Sequence, residues 1–252
     1  VGAEIEAGTF HSLAIGADAN VYAWGRNNVG QLGNNSIQDT NVHHQAAIVS
    51  GISNATHIYT NSDTSACYAI NTSGTLYSWA GVQDTTNPTS GTQHILGRSD
   101  GDPLNVGNVL LPQRARYFST GNDLNIVILK DYSLYMWGSF YDSTGALKTI
   151  ESPTPIIDDE SLEPIQGFRV SCQSHANNTF RSALYVGFDT RVYFLTPVSY
   201  DGVYVKADLQ LISNDLNISS VSSGPDHYMA IKLNTANIYS LPHSDSLIGE
   251  VI

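Results

Sequence analysis

The chain has 252 residues, a net charge of −12 and 11 Lys plus Arg. That leaves too little positive charge for a nucleic-acid-binding surface, and the acidic field also disfavours anionic membranes. Charged residues make up 13% of the sequence, against a usual share of roughly 25%, so Asn, Ser and Thr must supply the surface polarity.

The first unit, 1–50, opens with Ala7-Gly8-Thr9-Phe10-His11-Ser12-Leu13-Ala14-Ile15 and turns at Gly16-Ala17-Asp18-Ala19-Asn20. It continues with Val21-Tyr22-Ala23-Trp24-Gly25 and then Gly30-Gln31-Leu32-Gly33. An apolar run, a Gly/Asp/Asn turn and a second aromatic, β-branched run predict a β-hairpin. The second unit, 51–108, repeats this as Cys67-Tyr68-Ala69-Ile70 and Leu76-Tyr77-Ser78-Trp79. The third, 109–165, has Ile126-Val127-Ile128-Leu129 and Leu134-Tyr135-Met136-Trp137-Gly138. The fourth, 166–215, has Leu184-Tyr185-Val186-Gly187 and Val192-Tyr193-Phe194-Leu195. The fifth, 216–252, has Gly224, His227-Tyr228-Met229-Ala230-Ile231 and Ile238-Tyr239-Ser240-Leu241. Tyr22, Tyr77, Tyr135, Tyr193 and Tyr239 recur at steps of 55, 58, 58 and 46 residues, so five units fill a single domain, 1–252.

Both faces of Val21–Trp24 are apolar, which predicts strands covered on both sides, as in blades stacked around an axis. No apolar run approaches the roughly 20 residues that span a bilayer, which excludes insertion by a helix. The expected fold class is all-β, a propeller of four-stranded blades forming a small closed ring or an arc.

The first unit closely resembles the repeat of the regulator-of-chromosome-condensation family. That pattern is Ala-Gly, two residues, His-Ser/Thr, an apolar run, Asp-Gly, Val-Tyr-x-Trp-Gly and Gly-Gln-Leu-Gly. Ala7, Gly8, His11, Ser12, Tyr22, Trp24, Gly25, Gly30, Gln31, Leu32 and Gly33 match it, strongly over residues 1–35. Later units depart: Ala66 and Leu124 replace the His, and Leu195 and Leu241 replace the Trp. The resemblance implies part of a larger, seven-bladed ring as an alternative to a closed small one. The start at Val1 and the stop after Leu247-Ile248-Gly249 favour a portion of a longer chain. The family's nucleotide-exchange factors make a guanine-nucleotide exchange factor-like regulator of a small GTPase the alternative function. That role would place the protein in the cytoplasm.

The repeat residues Gly8, His11, Tyr22, Trp24, Gly25, Gly33, Tyr77, Trp79, Tyr135, Trp137, Gly138, Tyr193, Gly224, His227 and Tyr239 are expected to be structural. The glycines permit turns or close approach, the rings pack between blades, and the histidines bond backbone groups. Cys67 and Cys172 fall in non-adjacent units and are expected to be free thiols. Five Asn-x-Ser/Thr sequons, at Asn34, Asn54, Asn71, Asn177 and Asn217, arise readily in a chain of this composition and do not establish glycosylation.

No nucleophile–base pair, metal cluster or phosphate loop stands at usable spacing, so neither enzyme activity nor a cofactor is expected. Asp158-Asp159-Glu160 lacks the spacing of a calcium loop. Variation is concentrated in Gln83–Pro103 and Asp142–Pro164, both expected to be surface loops. Asp84, Arg98, Asp100 and Asp102 are therefore the candidate interaction residues. The expected function is a non-enzymatic binding or assembly module, displayed on a virion (tail, fibre or capsid decoration) or secreted. Its expected partner is a protein or glycan, in a larger homo- or hetero-oligomeric assembly.

Overall fold

The computed structural model describes residues 4–61, 64–81, 93–99, 102–121, 123–172, 182–213, 217–223, 228–232 and 238–241. Two compact units divide the chain: Val1–Ala115 with Ile150–Pro153, and Arg116–Thr149 with Thr154–Ile252. Strands dominate, and a single four-residue helix, α1 (Gln93–Leu96), appears among the described residues.

The first unit contains two antiparallel four-stranded blades. One has the order β1 (Ile5–Ala7), β2 (His11–Ile15), β3 (Val21–Asn27), β4 (Gln38–Ile48). The other has the order β5 (Ala55–Thr60), β6 (Cys67–Asn71), β7 (Leu76–Trp79), β8 (Gly107–Asn108). The β2–β3 register sets Leu13 opposite Ala23 and Ile15 opposite Val21, which collects four aliphatic side chains on one face. That face packs on Ala55, Ile58, Cys67, Ala69 and Trp79 of the next blade, forming one buried core.

Apart from Ala115 and Ile150–Pro153, the second unit holds the blade formed by β9 (Ala115–Gly121), β10 (Leu124–Leu129), β11 (Leu134–Tyr141) and β12 (Leu147–Asp158). A further blade comprises β13 (Gly167–Cys172), β14 (Ala183–Gly187), β15 (Val192–Tyr200) and β16 (Val205–Ser213). Their outer strands join in parallel, Ile156 opposite Val205 and Asp158 opposite Ala207, making one eight-stranded sheet. This seals two edges that would otherwise expose unpaired backbone groups. The sequence reading assigned Asp142–Pro164 to a loop; its centre is instead the twelve-residue strand β12. Pro153 and Pro155 misled that reading, because proline lacks an N–H and signals a break. Here they precede the parallel pairing, which begins at Ile156. A final three-stranded sheet, β17 (Ile218–Ser223), β18 (Tyr228–Lys232), β19 (Ile238–Leu241), packs Ile218, Val221, Tyr228 and Ala230 on Leu184, Val186, Val192 and Phe194.

Strands covered on both faces occur in the middle of blades: every residue of β10 and of β14 is buried. The first blade departs from that expectation. Along β3, burial alternates between full for Val21, Ala23 and Gly25 and partial for Tyr22 and Trp24. Trp79 and Trp137 are fully buried, whereas Tyr77 and Tyr135 are half-buried. Cys67 and Cys172 are buried free thiols.

This difference predicts unequal costs for truncating the repeat tryptophans. Trp79→Ala should destabilise by about 3–5 kcal/mol and Trp24→Ala by about 1 kcal/mol, because the cavity cost requires enclosure. Urea titration of the two variants measures both values.

Candidate interaction surface

The Gly-Gln-Leu-Gly turn is the socket for the next blade's tryptophan. Gly30 and Gly33 adopt φ of 82° and 57°, and a Cβ on Gly33 would stand 2.6 Å from Val49 and 3.2 Å from the Trp79 ring. The Gln31 carbonyl thereby accepts the Trp79 indole N–H at 3.1 Å. The Gln31 side chain holds the turn from within, accepting from Val29 N at 3.0 Å and donating to Asn28 at 3.0 Å.

His11 sits beside this joint. Its Nε2 lies 2.8 Å from Thr60 Oγ1 and 3.2 Å from Cys67 Sγ, whereas the sequence reading expected it to bond backbone. Nor did that reading place a base beside Cys67. His11 occupies that position because the ring fits where Gly8 has no Cβ; one built there would stand 2.3 Å from the imidazole. Burial lowers the His11 pKa to about 4 and drives the Cys67 thiol upward, while Cys172 is pushed up to about 12. A neutral, enclosed thiol is not a nucleophile, so the Cys67–His11 pair is a packing contact. Among the described residues, no group of three or more His, Cys, Asp or Glu is placed to hold a metal ion.

The repeat tyrosines are half-buried because their hydroxyls reach turn side chains. Tyr22 donates to Asp18 at 2.9 Å, Tyr193 donates to Asp189, and Asn71 Nδ2 donates to the Tyr77 hydroxyl at 3.2 Å. The same carboxylates and amide accept turn N–H groups: Asn20 N at Asp18, Arg191 N at Asp189, and Ser73 and Thr75 N at Asn71. Hydrogen bonds from Asn20 and Tyr22 hold Asp18 below its ordinary pKa. An Asp-x-x-x-Tyr spacing at Asp18 and Asp189 carries this signal, and the sequence reading overlooked it.

Of the candidate interaction residues, Asp84 and Asp100 lie outside the described residues, as do Gly224 and His227. Arg98 is buried. It donates from Nε to Ser78 Oγ at 3.1 Å and from one terminal nitrogen to the Asp102 and Asn105 carbonyls at 2.7 Å each. Asp102 accepts from Leu104 N and from Asn105 Nδ2. Both residues thus brace a turn within the first unit. Arginine's multiple donors can gather several carbonyls at once.

An exposed cluster that the sequence reading missed lies in the second unit. Arg116 stacks 4.6 Å from the centroid of Tyr132, and Phe188 meets Tyr132 edge-on at 5.0 Å. Tyr132 and Phe188 stand on the β10–β11 and β14–β15 turns, and Gly167 N donates to the Tyr132 carbonyl at 3.1 Å, which ties the two blades together there. Arg169 stacks 5.3 Å from Tyr117. Phe188 and Arg116 are exposed. Exposed aromatics with stacked arginines are the composition enriched at protein interfaces.

Residues 3–31 and 18–53 each match the regulator of chromosome condensation (RCC1) repeat. Residues 3–53 thus carry RCC1-type repeats, and the likeness of the chain to solved structures is that of a β-propeller fold. Human WBSCR16 shares the fold at TM-score 0.68 and 14% identity, over 94% of this chain and 60% of that one. Prp20p of Saccharomyces cerevisiae does so at 0.62 and 18%, over 94% and 57%. Yeast RCC1 (Prp20) bound to Kap60 follows at 0.54 and 16%, over 94% and 69%. The chain therefore spans about three-fifths of the first two structures.

The His11 environment predicts a pH-dependent stability. The imidazole is neutral in the folded state and titrates near its ordinary 6.5 when unfolded, so the unfolded chain binds the extra proton between pH 6.5 and 4. Stability associated with this site is fully present above about pH 6.5 and lost as pH falls toward 4. Urea midpoints between pH 4 and 7 should slope less steeply in His11→Gln than in the parent.

Proposed function

We propose that this chain is a non-enzymatic, protein-binding propeller module whose contact surface includes the Arg116–Tyr132–Phe188 cluster. The observation that carries this reading is the exposure of Arg116, on strand β9, and Phe188, on a turn, both packed on the half-buried Tyr132 ring. The net charge of −12 selects a neutral or basic protein over nucleic acid. Proteins of similar structure support a protein partner: Prp20p binds Gsp1p and histones, and yeast RCC1 forms a complex with Kap60. Those proteins match this chain in fold, at identities too low to carry their partners across. The low charge and abundant Asn, Ser and Thr support display on a virion or secretion. A glycan partner is the variant of this reading in which Tyr132 and Phe188 stack on sugar rings.

The exchange-factor reading rests on the family resemblance and on the Gsp1p binding of Prp20p. Two assays separate the proposals. The purified chain is used as bait against its native assembly, with Phe188→Ala and Arg116→Ala as controls, and is tested for nucleotide release from a panel of small GTPases. Stoichiometric capture of a protein, weakened about tenfold or more by each variant, is the expected result. Capture unchanged by both variants would remove the cluster from the interface. Nucleotide release accelerated by a catalytic amount of the chain would establish the exchange-factor role instead.

A further inference from the structure

The contact surface of the second unit carries a local charge opposite to that of the chain. Arg116 on β9 and Lys130 on the β10–β11 turn are exposed, and Arg169 on β13 is half-buried. Among the described residues, neither Arg116 nor Lys130 has a carboxylate partner. The carboxylates on the same turns are committed locally. Asp131 accepts from the Ser133 N–H at 3.1 Å and from its hydroxyl at 2.6 Å. Asp189 accepts from Arg191 N at 3.2 Å and from the Tyr193 hydroxyl, and Arg191 Nε stands 4.0 Å away. Unspent cations are thus gathered here in a chain whose net charge is −12.

Tyr132 is the residue that fixes Arg116. The turn position it fills has positive φ in four units: 60° at Ala19, 74° at Gly74, 70° at Tyr132 and 62° at Thr190. Glycine suits that conformation and a bulky aromatic residue does not. A ring kept there against its backbone preference is explained by what it touches, the Arg116 guanidinium at 4.6 Å and the Phe188 ring at 5.0 Å. Stacking covers a face of the planar guanidinium and leaves its N–H fork for a carboxylate. The side chain is already held, so little rotamer freedom is lost when an anion docks. Phe188, 56% exposed, supplies apolar surface beside it.

We propose that this cluster receives a segment of a partner protein that brings a carboxylate side chain to Arg116 and an apolar side chain to Phe188. The inference rests on the protein-binding reading above and names the chemistry of its partner. It agrees with a partner that is neutral or basic as a whole. The field of the entire chain acts on approach, whereas within a screening length of about 8 Å Arg116 and Lys130 decide the contact. A neutral sugar ring could stack on Phe188 but would leave the guanidinium without a counter-charge.

NMR shifts of the Phe188 and Tyr132 rings and of Arg116 Nε–H, followed on the full chain, test this. Three probes share one ring and differ in charge: phenylacetate, phenylacetamide and benzylamine. Phenylacetate should bind with a Kd of about 1 mM, about tenfold or more tighter than the other two. Its binding should weaken between about 0.05 M and about 0.5 M salt. Arg116→Gln should weaken phenylacetate alone and so remove the preference, while Phe188→Ala should weaken all three. Both side chains are exposed, and circular dichroism checks that both variants fold. Equal binding of the three probes, binding of none, a preference for benzylamine, or a preference that survives Arg116→Gln would each overturn the proposal. If the bait assay captures a protein through this cluster while the probes show no carboxylate preference, the protein-binding reading stands and this inference fails.

Discussion

Everything in the first unit depends on one joint: an aliphatic blade face covering an aromatic one, with a buried indole N–H finding a carbonyl across the gap. A four-stranded sheet cannot hide its own faces, so each blade is stable by virtue of what its neighbour supplies. Trp79 gains apolar contacts on its ring, and its polar atom is satisfied by the Gln31 carbonyl. An indole N–H buried without that acceptor would cost about 1–3 kcal/mol, enough to offset much of the ring's hydrophobic gain. The Gly-Gln-Leu-Gly turn is therefore part of the next blade's core, and its glycines are required by proximity as well as by backbone angle.

The same economy explains the tyrosines. Their rings are half-buried while their hydroxyls engage Asp18, Asn71 and Asp189. Each hairpin is thus pinned twice, by its ladder and by a turn side chain that also accepts turn N–H groups. Rigid turns are what an interaction surface needs, because little ordering entropy is then lost on binding. The Arg116–Tyr132–Phe188 cluster is built on two such turns, and Tyr132 adopts a φ of 70° there.

Much of this architecture was legible in the sequence because repetition amplifies weak signals. One hairpin pattern is ambiguous; five at steps of about fifty residues identify blades, and Trp79 and Trp137 occupy the cores expected of them. Less legible was anything set by contacts between units of the repeat. The parallel β12–β16 seam joins segments about fifty residues apart and leaves no local periodicity, while Pro153 and Pro155 pointed to a loop. Arg98 read as a surface charge because its partners, Ser78 and the carbonyls of Asp102 and Asn105, are brought together only by the fold. The exposed cluster escaped for the same reason: Arg116, Tyr132 and Phe188 belong to three separate strand–turn elements, and nothing in their spacing links them. Trp24 taught the opposite lesson. Its motif is the best match in the chain, yet burial depends on a neighbour's face, which a motif cannot report.

The most direct test of the joint as the organising interaction is amide and indole hydrogen exchange followed by NMR. The chain has three tryptophans, Trp24, Trp79 and Trp137, and hence three indole N–H signals. The Trp79 indole, buried and bonded to Gln31, should exchange only through opening of the joint, orders of magnitude more slowly than the half-exposed Trp24 indole in a dilute sample. Equal exchange at Trp24 and Trp79 would mean that the joint does not close, and would contradict the account.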